Sequence, residues 1–166
     1  MLHPLFDHDL GLLRDIAGTI DKYLEAINKE TSEVDDPDSF GYFDRAEHVT
    51  GLGFVACQTY IAASCGHVGV QKQKAFSFGP KLPGGQTVVN VFNYAANYGK
   101  HNSEWILDKS EKQKRNTQDA FAAIGFSVET DYPLSNILVV LTSPQAAKFE
   151  TLIESLALWR NELSQS

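Results

Sequence analysis

Apolar residues recur at three- and four-residue intervals near both ends of this chain, and that period constrains the fold more than any other feature. Over residues 9–29, Leu10, Leu13, Ile16, Ala17, Ile20, Leu24 and Ile27 fall on one face of a helix, with charges on the other. Near the C-terminus, Phe149, Leu152, Ile153, Leu156, Trp159 and Leu163 repeat the pattern. Ser143-Pro144 ahead of them supplies an N-cap and a first-turn proline for a last helix. Residues 43–64 read as a helix that is apolar nearly all round, which predicts a central position. Its glycines, Gly51 and Gly53, each cost a helix about 1 kcal/mol against alanine, so close approach of a neighbouring helix is the expected reason for them.

The acidic stretch 30–39 contains Asp36-Pro37-Asp38, a turn that ends the first helix. A long Gly-, Lys- and Pro-rich connection over 66–85 carries two short candidate extended pieces, at 68–70 and 75–78. The pair Gly84-Gly85 opens a third helix over 86–99, and Asp108 with Glu111 caps a fourth over 108–124, stopped by Gly125. Beyond it, 126–130 and 137–141 look strand-like. A small β-hairpin across 126–141 and a short buried helix in its second half both fit. The fold class expected is mainly α, a helical bundle of about five helices forming one domain over residues 1–166.

Charge is unevenly placed. Residues 1–47 hold twelve acids and four bases, and 104–166 hold nine acids and six bases. The middle, 48–103, holds no Asp or Glu, with Lys72, Lys74, Lys81 and Lys100 as its only charges beside histidine. The net −7 argues against non-specific duplex binding, which needs many uncompensated cations. Burial of central helices is the simplest cause of the acid-free middle. No apolar run approaches the ~20 residues of a membrane span, and the N-terminus lacks a signal-peptide pattern, so a cytoplasmic location away from membranes is expected. In that compartment Cys57 and Cys65 read as two small buried residues. The sets Cys57, Cys65, His67 and His3, Asp7, His8 lack the paired spacing of a structural zinc site, and no metal or cofactor is expected. The run 79–85 lacks the residue order of a phosphate loop, and no nucleophile elbow occurs.

The stretch 93–105, N-Y-A-A-N-Y-G-K-H-N-S-E-W, is polar where a core face should be apolar. On a helix Asn97 and His101 lie one turn apart. An asparagine can orient an imidazole, His101 can move a proton near neutral pH, and Lys100 can stabilise an anion beside it. Asn97, Lys100 and His101 are therefore the candidate catalytic residues, in an arrangement suited to metal-free cleavage of a phosphodiester. The competing reading is structural: Asn93 and Asn97 satisfy buried groups, and His101 sits favourably at a helix C-terminus. The segment 109–115, with Lys109, Lys112, Lys114 and Arg115, could flank the row if its helix packs alongside, or form a solvated helix face.

The segment A96-N-Y-G-K-H101-N-S-E-W105 is similar to an A-N-Y-x-K-H-x-x-E-W signature of small helical bacterial proteins, which in turn resemble the HEPN superfamily. That resemblance implies a helical bundle, a homodimer that brings two motifs together, RNA as ligand, and metal-independent ribonuclease activity in toxin–antitoxin, defence or RNA-processing systems. It places His101 at the motif histidine and Asn97 at the polar position. It also implies an arginine ahead of the histidine, where this chain has Ala96, Ala95 and Tyr94; Arg45 or Arg115 would have to supply the guanidinium. The alternative is a non-catalytic helical module that engages a protein partner.

Overall fold

The computed structural model describes residues 7–106 and 111–166. Among them are seven helices: α1 His8–Ser32, α2 Tyr42–Val68, α3 Lys72–Ala75, α4 Val88–His101, α5 Glu111–Ala122, α6 Pro133–Thr142 and α7 Phe149–Ser164. A 3-10 turn, Glu104–Ile106, follows α4. The class is mainly α, as the periodicity predicts. The helices beyond the expected five are α3, a single turn inside the long connection, and α6.

The centre is α2, which packs against α1, α4, α6 and α7. It is also long and apolar enough to cross a membrane by length and composition, but here just over half of its most apolar stretch is buried by the other helices. Its glycines sit where the expectation put them. A Cβ on Gly53 would lie 2.3 Å from the Phe149 ring, and one on Gly99 of α4 would lie 3.2 Å from the Gly51 Cα. Backbone-to-backbone approach at Gly51 and Gly99 thus fixes the crossing of α2 and α4. Phe54, fully buried, is the hub of the core: its ring centroid lies 5.9 Å from that of Phe92 and 5.2 Å from that of Phe149. Trp159 closes the same core from α7 and donates its indole N–H to Ala75 O at 2.8 Å, which ties down α3.

The region 126–141 contains no hairpin. Residues 126–132 are turns, Tyr132 enters α6 with φ 52°, and Pro133 takes the first helical turn. Leu134, Ile137 and Leu138 then face the core at helical spacing while Val139 and Val140 stay exposed. The β-branched run suggested a strand, but three- and four-residue burial decides for the helix. The piece at 75–78 is likewise not a strand: Ala75 belongs to α3. Extended pairing in the connection is one isolated bridge, Lys81 with Thr87.

Two helix starts depend on side chains remote in sequence. The last helix begins at Phe149, with no cap from its own N-terminal residue Lys148. Buried Asp21 of α1 accepts instead from Phe149 N at 2.7 Å and Glu150 N at 3.0 Å. Ser143, expected as that helix's N-cap, is the C-cap of α6. Similarly, Glu47 of α2 accepts from Leu134 N at 2.7 Å and Ser135 N at 2.9 Å, capping α6. Truncation of Asp21 to alanine orphans one buried and one part-buried donor at a helix dipole, so a loss of about 2 kcal/mol is expected in urea unfolding. A loss below about 0.5 kcal/mol would show that water replaces the cap. The fourth predicted helix exists from Glu111 onward, and Asp108, its expected cap, lies outside the described residues. Gly125 has φ 86°, as a helix-stopping glycine should.

Candidate functional site

The polar row of α4 faces α2. Asn93 is 7% exposed and Asn97 half-buried, and between them on α2 stands Gln58, 9% exposed. Gln58 Nε2 donates to Asn93 Oδ1 and to Asn97 Oδ1, each at 2.9 Å. Lys100 Nζ donates to Gln58 Oε1 at 2.7 Å. One amide therefore gathers three residues of the row. Helix α4 continues through Gly99 to His101, because Gly99 packs on Gly51 and has no left-handed φ to break the helix.

His101 turns elsewhere. Its Nδ1 lies 2.8 Å from Glu104 Oε2, and the imidazole is 33% exposed. The 3-10 turn is anchored by Trp105, whose ring meets Tyr98 edge-on at 5.9 Å, and this brings the Glu104 carboxylate back to His101. The Nε2 of His101 has no partner among the described residues. Asn97 is thus bonded to Gln58, and the group that orients the imidazole is Glu104. The structure brings Asn97 and Lys100 together through Gln58 and does not bond either of them to His101.

Lys100 also reaches the wall of an open cavity of about 620 Å³ beside the meeting point of α2, α4 and α6, lined by Glu47, Gly51, Leu52, Tyr98 and Leu134. Lys72 lies on α3. Its ammonium lies 5.6 Å from the Phe76 ring centroid, and its pKa is held below the usual lysine range by burial and then by the nearby Lys100. Burial pushes the Cys65 thiol up, with Lys72 and Arg160 opposing it. The Cys57 thiol, fully enclosed, is pushed up to about 12 by burial. Both cysteines are free.

The position of the implied arginine is informative. Ala95 and Ala96 are fully buried, so a guanidinium there would enter the core. Arg45 points to α1, where it meets Glu30 and Tyr23, each at 3.5 Å. Arg115 lies on α5, which packs against α4. Lys112 and Lys114 of the same helix are exposed, and Lys109 lies outside the described residues. Among the described residues no cluster of three or more His, Cys, Asp or Glu side chains could hold a metal. His67 is exposed and faces Asp9 at 3.5 Å, Asp7 caps α1 and accepts from Tyr60, and His3 lies outside the described residues.

Gln58 is not among the residues the sequence singles out, and Lys72 stands there only as one of four lysines in the acid-free middle. Gln58 carried a usable signal, as an uncharged polar residue in the middle of a helix apolar nearly all round. Lys72 carried none, because its place depends on how α3 folds back. Comparison with family models, with curated proteins and with solved structures finds no match to this chain.

Proposed function

We propose that the protein is a non-catalytic helical binding module in which the polar row of α4 locks α2 against α4. The observation that carries this reading is the Gln58 amide, which takes up Asn93, Asn97 and Lys100 at 2.7–2.9 Å and leaves no unbonded acid–base pair in the row. Buried polar networks of this kind can specify how helices pack. The buried alanines at the position of the implied arginine support the same reading.

A second reading is favoured by one contact. With Glu104 on Nδ1, His101 keeps Nε2 for proton transfer, the arrangement a general base uses. Under it the protein is a HEPN-like homodimeric, metal-independent ribonuclease, with His101 as acid or base and Lys100 as anion stabiliser. The two readings separate in a cleavage assay on single-stranded and structured RNA with chelator present. The expected outcome is no cleavage by the purified protein beyond the His101→Ala variant. Chelator-resistant cleavage that falls by about 100-fold or more in His101→Ala would establish the second reading instead.

A further inference from the structure

Gly51 and Gly99 bring the backbones of α2 and α4 together, and neither sends a side chain into the space beside that contact. Both line the open cavity of about 620 Å³, which is within the size range of small-molecule sites. Its apolar lining includes Leu52, 64% exposed, and the buried Leu134. Tyr98 and Tyr132 add two aromatic rings. The Tyr132 ring is fixed in place: its hydroxyl donates to Asp38 Oδ1 at 2.6 Å, and its centroid lies 5.6 Å from that of Phe43.

Among the described residues, four side chains of fixed charge line this cavity: Asp44, Glu47, Lys100 and Asp131. Two of them are already committed. Both Glu47 oxygens are taken by the start of α6, which also closes that helix N-terminus to an anion. The Lys100 ammonium is bonded to Gln58, which does not line the cavity. Asp44 and Asp131 use only their backbone carbonyls, Asp44 O accepting from His48 Nδ1 at 2.9 Å and Asp131 O from Asn136 Nδ2 at 3.0 Å. Their carboxylates have no hydrogen bond or ion pair among the described residues. Both charges are felt at the Tyr132 hydroxyl, whose pKa is pushed up to about 12 by its bond to Asp38, then by desolvation and by the charges of Asp38, Asp44 and Asp131. His48, on the same wall, offers Nε2 as an acceptor in its neutral form.

We propose that the cavity binds an organic cation: an amine whose ammonium is held by Asp44 and Asp131 and whose ring-sized apolar body rests against Leu52, Leu134, Tyr98 and Tyr132. Unpaired carboxylates match a protonated amine, and aromatic rings are favourable neighbours for one. A metal ion fits less well, because no third carboxylate, imidazole or thiol joins the two aspartates in a ligand set among the described residues. Here the amine is held rather than converted, which rests on the module reading above. RNA cleavage lost in His101→Ala would defeat that reading and leave the amine titration untouched, so the two fail separately.

The test is a nitrogen-15 NMR titration of the full chain with 2-phenylethylamine, 2-phenylethanol and phenylacetate, which share a ring and differ in charge. The amine is expected to shift the amide signals of Gly51, Gly99 and Thr130, which line the cavity, at about millimolar concentration. The alcohol and the acid are expected to leave them unmoved. Asp44→Asn combined with Asp131→Asn should weaken the amine by about tenfold, and thermal unfolding of the variant monitors the fold. If the double variant fails to fold, each single substitution is titrated, with a loss of about threefold expected in each. Equal shifts from all three compounds would overturn the proposal in favour of a merely apolar cleft. No shift with the amine, or wild-type amine affinity in the folded variants, would overturn it outright.

Discussion

Gly53→Ala is expected to lower the stability of this protein by about 3 kcal/mol, at the upper end of what overpacking a core costs. The added methyl would lie 2.3, 2.4 and 2.6 Å from three carbons of the Phe149 ring. That ring has nowhere to go. Phe149 is 1% exposed, its ring stands edge-on to Phe54 at 5.2 Å, and its backbone N–H is held by Asp21 at 2.7 Å. Relief requires α7 to move away from α2, which would open the core around Phe54. For a domain of this size the expected fall in melting temperature is about 6–12 °C, read by circular dichroism. Gly66→Ala is the internal control, because nothing lies within 4 Å of its added methyl and the helical gain is up to about 1 kcal/mol. Equal melting temperatures for Gly53→Ala and wild type would mean that α7 does not rest on α2 as described.

Gln58→Leu is expected to cost about 2–3 kcal/mol, although leucine is similar in size and more apolar. The substitution leaves Asn93 Oδ1, Asn97 Oδ1 and Lys100 Nζ without their common partner. Lys100 is exposed and Asn97 half-buried, so water can replace the bond for these two. Asn93, at 7% exposure, has little access to water, and an unsatisfied buried acceptor costs about 1–3 kcal/mol. Asn93→Leu together with Gln58→Leu removes both ends of that bond and should recover part of the loss, since replacing both partners by apolar groups is far less costly. A Gln58→Leu protein as stable as wild type in urea would show that the network adds nothing to packing.

The parts of this fold legible in the sequence are those whose signal lies within one helix. The stripe of α7 read from the period, Phe149, Leu152, Ile153, Leu156, Trp159 and Leu163, is buried throughout, because a 3.6-residue period and a core on one side leave little choice. Glycines in α2 signalled close approach, and Gly51 and Gly53 are the points of contact. What was hidden depends on residues far apart in the chain. The start of α7 could not be read from Ser143-Pro144 because its cap is Asp21. The β-branched run of α6 has the composition of a strand, and only its neighbours' positions make Ile137 and Leu138 the buried pair. In the candidate site, helical spacing put Asn97 and His101 one turn apart on a shared face, but no bond joins them. It could not show that Gln58 on another helix joins Asn97 and Lys100, or that His101 is taken by Glu104. Spacing places side chains on a face but does not choose among the partners that reach it.

The row of α4 is therefore best understood as the lock between α2 and α4, and a double-mutant cycle on Gln58 and Asn93 measures that directly. Gln58→Leu, Asn93→Leu and the double variant are compared with wild type by urea unfolding. The lock predicts a coupling energy of about 1–2 kcal/mol between the two positions. Losses that add to within about 0.3 kcal/mol would contradict it.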